Sequence, residues 1–216
     1  MGKMIYRLRV ILMALSLSCS MMPSIVLAGL VEGKAAYKKK DFATALREYR
    51  LLAAQGDAEA QFRLGVMYFI GQGILDDYKE AIKWYRLAAG QGHANAQNNL
   101  GGMYADGRGV PKDYKEAIKW YRLAAGQGVA DAQNNLGEMY ENGQSVASNR
   151  VAAYALYNLS ASIDPSDTNP ATANRARLSK LMSNMGIEAA QNLTREIARP
   201  GNLLKALDKY ANNQND

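Results

Sequence analysis

The sequence predicts an all-α fold, a solenoid in which pairs of helices repeat along the chain. Residues 57–92 align without a gap against residues 93–128, and 25 of the 36 positions are identical. Trp84 and Trp120 mark the period of 36 residues. Apolar residues in both blocks recur at helical i, i+4 spacing. A period of this size is typical of helical solenoids, in which each unit buries its apolar face against its neighbours.

The N-terminal residues predict an export signal over residues 1–28. A basic stretch (Lys3, Arg7 and Arg9) precedes an apolar one, and Val26-Leu27-Ala28 offers small residues at a cleavage site. We therefore expect a periplasmic or secreted protein that makes no membrane contact after cleavage. An uncleaved membrane anchor is the alternative, because no charged residue lies between Arg9 and Glu32, although Pro23 disfavours a spanning helix.

Cleavage would change the charge and the cysteine content of the chain. The formal charge would fall from +6 to +3, because three basic residues and no acidic ones are removed. Cys19, the single cysteine, would be lost as well, which excludes disulfides and cysteine-bound metals from the mature chain. The remaining basic residues are dispersed, so the sequence predicts no nucleic-acid partner.

The period of 36 residues divides the rest of the chain into helix pairs. Three repeats occupy residues 57–92, 93–128 and 129–164, and in each we expect helix A to begin at the alanine after the first position (Ala58, Ala94 and Ala130). In the first two, helix B begins near an aspartate that suits a helix N-terminus (Asp77 and Asp113). Residues 29–56 are expected to form an N-terminal capping pair. Residues 165–216 are expected to form C-terminal capping helices, with a break near Gly186, and a frayed tail.

Glycine and aromatic residues within the repeats are interpreted as scaffold. Each helix A carries a Leu-Gly pair with Tyr four residues after the Leu, and an interior glycine costs about 0.8–1 kcal/mol of helix stability relative to alanine. We infer that close helix–helix approach compensates for this cost. The inter-helix turns contain glycines that supply positive φ angles, as at Gly107 and Gly109. The third repeat departs from the pattern at Ser145, where glycine is expected, and at Leu156, which replaces tryptophan.

The motif Ala-x-Ala-Gln-x-x-Leu-Gly-x-Met-Tyr, followed by Gly-x-Gly-Val and Asp-Tyr-x-x-Ala-x-x-Trp-Tyr-x-x-Ala-Ala-x-Gln-Gly, resembles the Sel1-like repeat, a relative of the tetratricopeptide repeat. The resemblance covers about residues 30–164. It implies a right-handed α/α superhelix that serves as an adaptor in protein–protein contacts. Bacterial exported members of the family are associated with envelope regulation, stress signalling and host interaction.

The residue inventory disfavours enzymatic chemistry. His93 is the only histidine, so a histidine pair or a histidine-rich metal site cannot form within one chain. It occupies the first, variable position of a repeat, where a surface role is expected. We therefore predict no catalytic residue, no metal and no cofactor. The alternative is an accessory factor or hydrolase of cell-wall metabolism. The family includes hydrolases of β-lactams, but these resemble a cysteine-rich branch, and this chain lacks the cysteines.

The resemblance also indicates a binding surface, because helix A lines the concave groove in tetratricopeptide-type packing. The groove positions lie at fixed offsets from the Leu-Gly pair of each helix A. The residues at these positions are largely apolar in the first repeat, neutral in the second and acidic in the third. We therefore expect a protein partner, a peptide or helix with an apolar segment and a basic segment. Packing of Phe62 and Phe69 against the N-terminal unit is the alternative interpretation of the apolar part. The groove candidates are Glu59, Phe62, Val66, Phe69, Ile70, Asn95, Asn98, Asp106, Asp131, Asn134, Glu138 and Glu141.

These observations predict a non-catalytic scaffold or adaptor of the bacterial cell envelope that binds its partner in the groove. Two alternatives stay open at this point. One is the cell-wall factor or hydrolase, and the other is a membrane-anchored signalling regulator that retains residues 1–28.

Overall fold

A computed structural model describes residues 28–212, and all of the regular structure in that range is α-helical. Residues 1–27 of the predicted signal peptide and residues 213–216 of the predicted tail lie outside it. The succession of helix pairs confirms the predicted all-α repeat fold. The helices are α1 (28–38), α2 (Phe42–Ala54), α3 (Ala58–Ile70), α4 (Tyr78–Gly90), α5 (Ala94–Asp106), α6 (Tyr114–Gly126), α7 (Ala130–Asn142), α8 (Arg150–Ile163), α9 (Pro170–Ser179), α10 (Asn184–Ile197) and α11 (Leu203–Asn212).

The chain divides into two compact units, with the boundary between Trp84 and Tyr85 inside α4. Unit 1, described from residue 28, contains α1, α2, α3 and the start of α4. Its core is formed by apolar side chains of α2 and α3, including Tyr49, Leu52, Leu64 and Met67. Helix α1 packs closely on α2, because a Cβ at Gly33 would lie 2.7 Å from the Tyr49 ring.

Unit 2, described to residue 212, contains the end of α4 and helices α5 to α11. Consecutive helices pack in pairs, α5 with α6 and α7 with α8, and α6 also contacts α7. Both α9 and α10 pack against α8. Helix α11 packs against α10 and also reaches back to α6. The core of this unit runs continuously from Ala117 in α6 to Leu207 in α11.

The helix-interior glycines of unit 2 permit the close approach that the sequence predicted. A Cβ placed on Gly101 of α5 would lie 2.7 Å from the ring of Tyr121, which is only 4% exposed. A Cβ on Gly137 of α7 would lie equally close to the ring of Tyr157, which is fully buried. The tyrosines of helix B are therefore core residues that occupy the space left by the glycines of helix A.

The Ala-Gln pair of helix A has a structural role that the sequence did not reveal. In unit 2 the buried side chains of Gln97 and Gln133 donate from Nε2 to the carbonyl oxygens of Ala89 and Ala125, at 3.2 and 3.3 Å. These bonds tie each helix A to the end of the preceding helix B. The carbonyl oxygen of the Gln97 side chain accepts a further bond from Gln127. That of Gln133 has no partner among the described residues, since position 163 holds isoleucine in place of the corresponding glutamine.

The first position of each repeat is the N-cap of helix A. Asp57 accepts from the backbone N–H of Ala60 at 2.7 Å, and His93 accepts from the N–H of Ala96 through Nδ1 at 3.2 Å. Val129 occupies the same position in the third repeat and offers no capping bond. The single histidine of the chain thus has a local structural function at a helix end.

The turn of the third repeat keeps the conformation of the second despite its changed sequence. Gly107 and Gly109 adopt φ angles of 76° and 73°, as expected for glycine. Ser145, at the position equivalent to Gly109, adopts a φ of 58°. A serine therefore takes a left-handed conformation that is unfavourable for residues with a Cβ atom.

The C-terminal region contains the three helices predicted, but the first break was misplaced. Helix α9 ends at Ser179 and α10 begins at Asn184, so Gly186 lies in the first turn of α10 and not between the helices. Ser183 determines this boundary, because its hydroxyl oxygen accepts from the N–H of Gly186 as an N-cap.

Within residues 28–212 no helix combines the length and apolar character needed to cross a bilayer.

Candidate partner-binding surface

The twelve candidate residues lie on α3 in unit 1 and on α5 and α7 in unit 2, and this set is here called the A-helix face. In unit 1, Phe62 is buried, while Val66 and Phe69 are half-buried and Ile70 is 53% exposed. The ring of Phe69 lies 5.4 Å from that of Tyr78. The accessible apolar part of this surface in unit 1 therefore consists of three side chains on α3.

Glu59 begins the A-helix face in unit 1 and is engaged in ion pairs. Its carboxylate lies 2.9 Å from Nζ of Lys34 in α1 and 2.8 Å from Nε of Arg63 in the next turn of α3. The carboxylate therefore belongs to a local charge cluster, and such partly exposed pairs contribute about 0.2–1 kcal/mol each.

In unit 2, the A-helix face of α5 and the start of α7 is polar and accessible. Asn95, Asp106 and Asp131 are exposed, and Asn98 is half-buried. Asn98 accepts a hydrogen bond from the side-chain amide of Asn135 at 3.1 Å, which joins α5 to α7. The two helices thus present one continuous surface with carboxylates and amides.

The acidic end of the surface, on α7, is already occupied by another part of the chain. Arg177 of α9 donates from Nη1 and Nη2 to the two carboxylate oxygens of Glu141, at 2.6 and 2.8 Å. The hydroxyl of Tyr157 donates to the same carboxylate at 2.9 Å. One turn away, the side-chain amide of Asn174 donates to both Asn134 and Glu138. Asn134 itself is buried, so only part of the predicted acidic end is accessible.

This arrangement changes the protonation behaviour of its charged groups. Hydrogen bonding from Arg177 lowers the pKa of Glu141 below its ordinary value, and the bond from Tyr157 acts in the same direction. The same pairing raises the pKa of Arg177. Burial is the main cause of the raised pKa of Tyr157, and the nearby carboxylate of Glu141 raises it further. Glu141 is therefore a charged and compensated group, which is unsuited to general acid catalysis at neutral pH.

Sequence reasoning missed the two α9 side chains, although a signal for them exists. Asn174 and Arg177 lie one period of 36 residues after Glu138 and Glu141, the residues that they contact. Helix α9 thus takes the place that helix A of another repeat would occupy. The apolar pattern of α9 does not follow the repeat, so a comparison of the apolar residues alone does not reveal this correspondence.

Two kinds of catalytic centre, a metal site and a pair of convergent carboxylates in a cleft, are not found among the described residues. No group of three or more histidine, cysteine, aspartate or glutamate side chains is placed to hold a metal ion within residues 28–212. A cleft between α10 and α11, of about 960 Å³, is lined by basic side chains and one acid, Glu196, which pairs with Arg199. Two convergent carboxylates, as a glycoside hydrolase requires, are not present in this cleft.

Helix pairs that repeat every 36 residues, with glycine–tyrosine contacts between their helices, define an α/α repeat protein. A family model for the Sel1 repeat matches residues 58–93, 94–129 and 130–164. The chain belongs to the Sel1 repeat family. The matched segments begin at the first residue of α3, α5 and α7. A search of curated protein sequences found no match.

Two solved structures illustrate this relationship. A Sel1 repeat protein from Oxalobacter formigenes is 30% identical, with a TM-score of 0.65 over 77% of this chain and 69% of that protein. A protective antigen present in uropathogenic Escherichia coli strains, which displays an SLR fold, is 26% identical with a TM-score of 0.57. The match to the antigen covers 85% of this chain but only 47% of that protein. Sel1 repeat proteins are generally scaffolds for protein–protein interaction, and their fold is typically non-catalytic.

Proposed function

We propose that this protein is a non-catalytic scaffold of the bacterial cell envelope that binds a partner peptide or helix along the A-helix face. The observation that carries this proposal is the contact between α7 and α9. Helix α9 lies on the third repeat and places an arginine and an asparagine, three residues apart, against Glu141, Glu138 and Asn134. A helix with basic and amide side chains is therefore a suitable ligand for this surface, and the chain itself provides one example.

The chemistry of the partner follows from the parts of the surface that α9 leaves accessible. In unit 2 these parts carry the exposed carboxylates of Asp106 and Asp131 and the amides of Asn95 and Asn98. A basic segment would form charge-assisted hydrogen bonds with them. In unit 1 the accessible part includes the apolar side chains of Val66, Phe69 and Ile70. The proposed partner therefore has an apolar segment and a basic one.

Site-specific photocrosslinking in cells tests the location of the surface. A photoreactive amino acid at Asn95 or Asp106 would lie on the A-helix face, and one at Lys115 provides a matched control, exposed on helix α6. We expect the same partner to be captured from Asn95 and Asp106 and not from Lys115. Equal capture from all three positions would refute a specific role for the A-helix face.

Charge reversal tests the chemistry of the partner. Asp106→Lys with Asp131→Lys should weaken binding of the captured partner at least tenfold, because two attractive contacts become repulsive. Asp167→Lys with Glu188→Lys changes the charge equally at exposed positions elsewhere in unit 2 and should have no effect. Unchanged binding after reversal at Asp106 and Asp131 would refute the basic segment. Glu141 is unsuitable for this test, because its reversal would also disrupt the contact with α9.

The envelope location rests on the N-terminal sequence, since the basic residues, apolar stretch and Val26-Leu27-Ala28 together resemble an export signal. N-terminal sequencing of the protein purified from the periplasmic fraction should give Gly29 as the first residue. Protein that starts at Met1 and sediments with membranes would instead support the anchored form.

A further inference from the structure

Helices α4 and α6 have identical sequences over all 13 residues, and α6 packs against a further helix, α11. Helix α11 lies on α6, where Nη2 of Arg122 donates to both carboxylate oxygens of Asp208, at 2.6 and 2.8 Å. Four residues along each helix, Leu204 lies over Gly126, with 3.8 Å between its Cγ and an ideal Cβ on that glycine. Because 204 meets 126 and 208 meets 122, α11 runs antiparallel to α6.

The third member of this contact is a tyrosine of the following helix A. Arg122 also donates from Nη1 to the hydroxyl of Tyr140 at 3.4 Å, and Tyr140 is only 5% exposed. The arginine is thus held between a tyrosine of its own scaffold and a carboxylate of the covering helix. Its side chain is 22% exposed, which shows that α11 shields it from solvent to a large extent.

The same arginine–tyrosine pair occurs one repeat earlier and entirely within unit 2. Arg86 donates to the hydroxyl of Tyr104 at 2.7 Å, and its guanidinium carbon lies 5.7 Å from the centre of that ring. No carboxylate of the described residues pairs with Arg86, which is exposed. Around Gly90, the counterpart of Gly126, no described atom lies within 4 Å of an ideal Cβ. The residues Arg86, Gly90 and Tyr104 are here called the α4 surface.

We propose that the α4 surface is a docking site for an amphipathic partner helix that presents a leucine and, four residues later, an aspartate. Such a helix would lie antiparallel to α4, as α11 lies on α6. Its leucine would cover Gly90 and its carboxylate would pair with Arg86, whose orientation is already fixed by Tyr104. Arg86 and Gly90 of this site lie on helix B, and Tyr104 is not among the A-helix candidates, so the site is distinct from the A-helix face.

A binding experiment with the full-length protein and a synthetic helix tests the proposal. The probe is a fluorescent peptide with the sequence of residues 203–212, held helical by a hydrocarbon staple between positions 205 and 209, which leaves the equivalents of Leu204 and Asp208 free. Gly90→Leu fills the space reserved for the leucine and should lower the affinity more than tenfold. Arg86→Gln should lower it about fivefold, as expected for a partly exposed ion pair.

Controls separate the α4 surface from other sites. Lys112→Gln removes the same charge from the loop of the following repeat and should not change the affinity. Arg122→Gln should leave it within about twofold, since that arginine belongs to the surface that α11 already covers. A second probe carries asparagine at the position of Asp208. Compared with the original probe, it should bind about fivefold more weakly to the wild-type protein but equally well to Arg86→Gln.

Three outcomes would overturn the proposal. The first is unchanged affinity of the Gly90→Leu and Arg86→Gln proteins. The second is loss of binding in Arg122→Gln alone, which would place the probe on α6. The third is that the full chain self-associates and that Arg86→Gln abolishes this self-association. The helix that docks would then be α11 of a second copy of the chain and not a helix of a different protein.

Discussion

Two adjacent glycines in α5 should respond oppositely to the same substitution. A Cβ at Gly101 would meet Cδ1 and Cε1 of Tyr121 at 2.7 Å, closer than these atoms tolerate. The nearest atom to a Cβ at Gly102 is the Tyr121 hydroxyl oxygen at 3.6 Å, an ordinary contact. Gly101→Ala therefore tests the close approach of α5 and α6, and Gly102→Ala is its matched control in the same helix.

The magnitudes follow from two opposing effects. Replacement of either glycine by alanine should gain about 0.8–1 kcal/mol from helix propensity. At Gly101, overpacking against a ring that is 4% exposed should cost about 1–3 kcal/mol. We expect Gly101→Ala to destabilise the protein by up to about 2 kcal/mol and Gly102→Ala to stabilise it by about 0.8–1 kcal/mol, a difference of about 1–3 kcal/mol that equals the overpacking cost.

Urea unfolding followed by far-ultraviolet circular dichroism measures this difference. For a chain of this length, 1 kcal/mol corresponds to roughly 2–4 °C in Tm, so thermal unfolding provides an independent check. If Gly101→Ala proved as stable as Gly102→Ala, the proposed steric role of Gly101 would be wrong.

Three further substitutions test local features of the third repeat. Ser145→Gly should stabilise the protein by about 0.5–1 kcal/mol, because relief of a left-handed serine outweighs the greater entropy of glycine in the unfolded chain; calorimetry would show a higher Tm. Val129→Asp should add about 1 kcal/mol by supplying the missing N-cap of α7, and a stability no higher than that of Val129→Ala would contradict this. Glu141→Gln should cost about 1 kcal/mol at pH 7, since the arginine that it pairs with is half-exposed. The depressed pKa of Glu141 stabilises the fold above its unfolded-state value near 4.5, so wild-type stability should fall more steeply than that of Glu141→Gln as the pH drops through and below that value.

Features that repeat within the chain could be predicted from the sequence alone. Two nearly identical blocks reveal which positions are scaffold, and the start of helix A at Ala58, Ala94 and Ala130 followed directly. The close approach at Gly101 and Gly137 could also be predicted, because an interior helix glycine that recurs requires a compensating contact.

Features that occur once were harder to predict. The break before α10 depends on a single N-cap, Ser183, which competes with a nearby glycine as the expected boundary. The pairing of Glu141 with Arg177 depends on the packing of a helix whose apolar pattern does not follow the repeat. The burial of Asn134 could not be predicted for the same reason, since its contact with Asn174 of α9 is not apparent in a comparison of repeats. Whether the twelve A-helix candidates contact a partner stays a prediction.

The contact of α11 with α6 has a consequence for how the C-terminal part of the chain opens. In a solenoid whose units touch only their neighbours, terminal helices fray one after another. The Arg122–Asp208 pair joins residues that are 86 positions apart and so connects α6 to α11, the helices that precede and follow α7 to α10 in the chain. Opening of the last helix pair therefore breaks the contact between α6 and α11. Amide protons from α7 to α11 should for this reason exchange with solvent as one cooperative group, and not at rates that rise gradually towards the C-terminus.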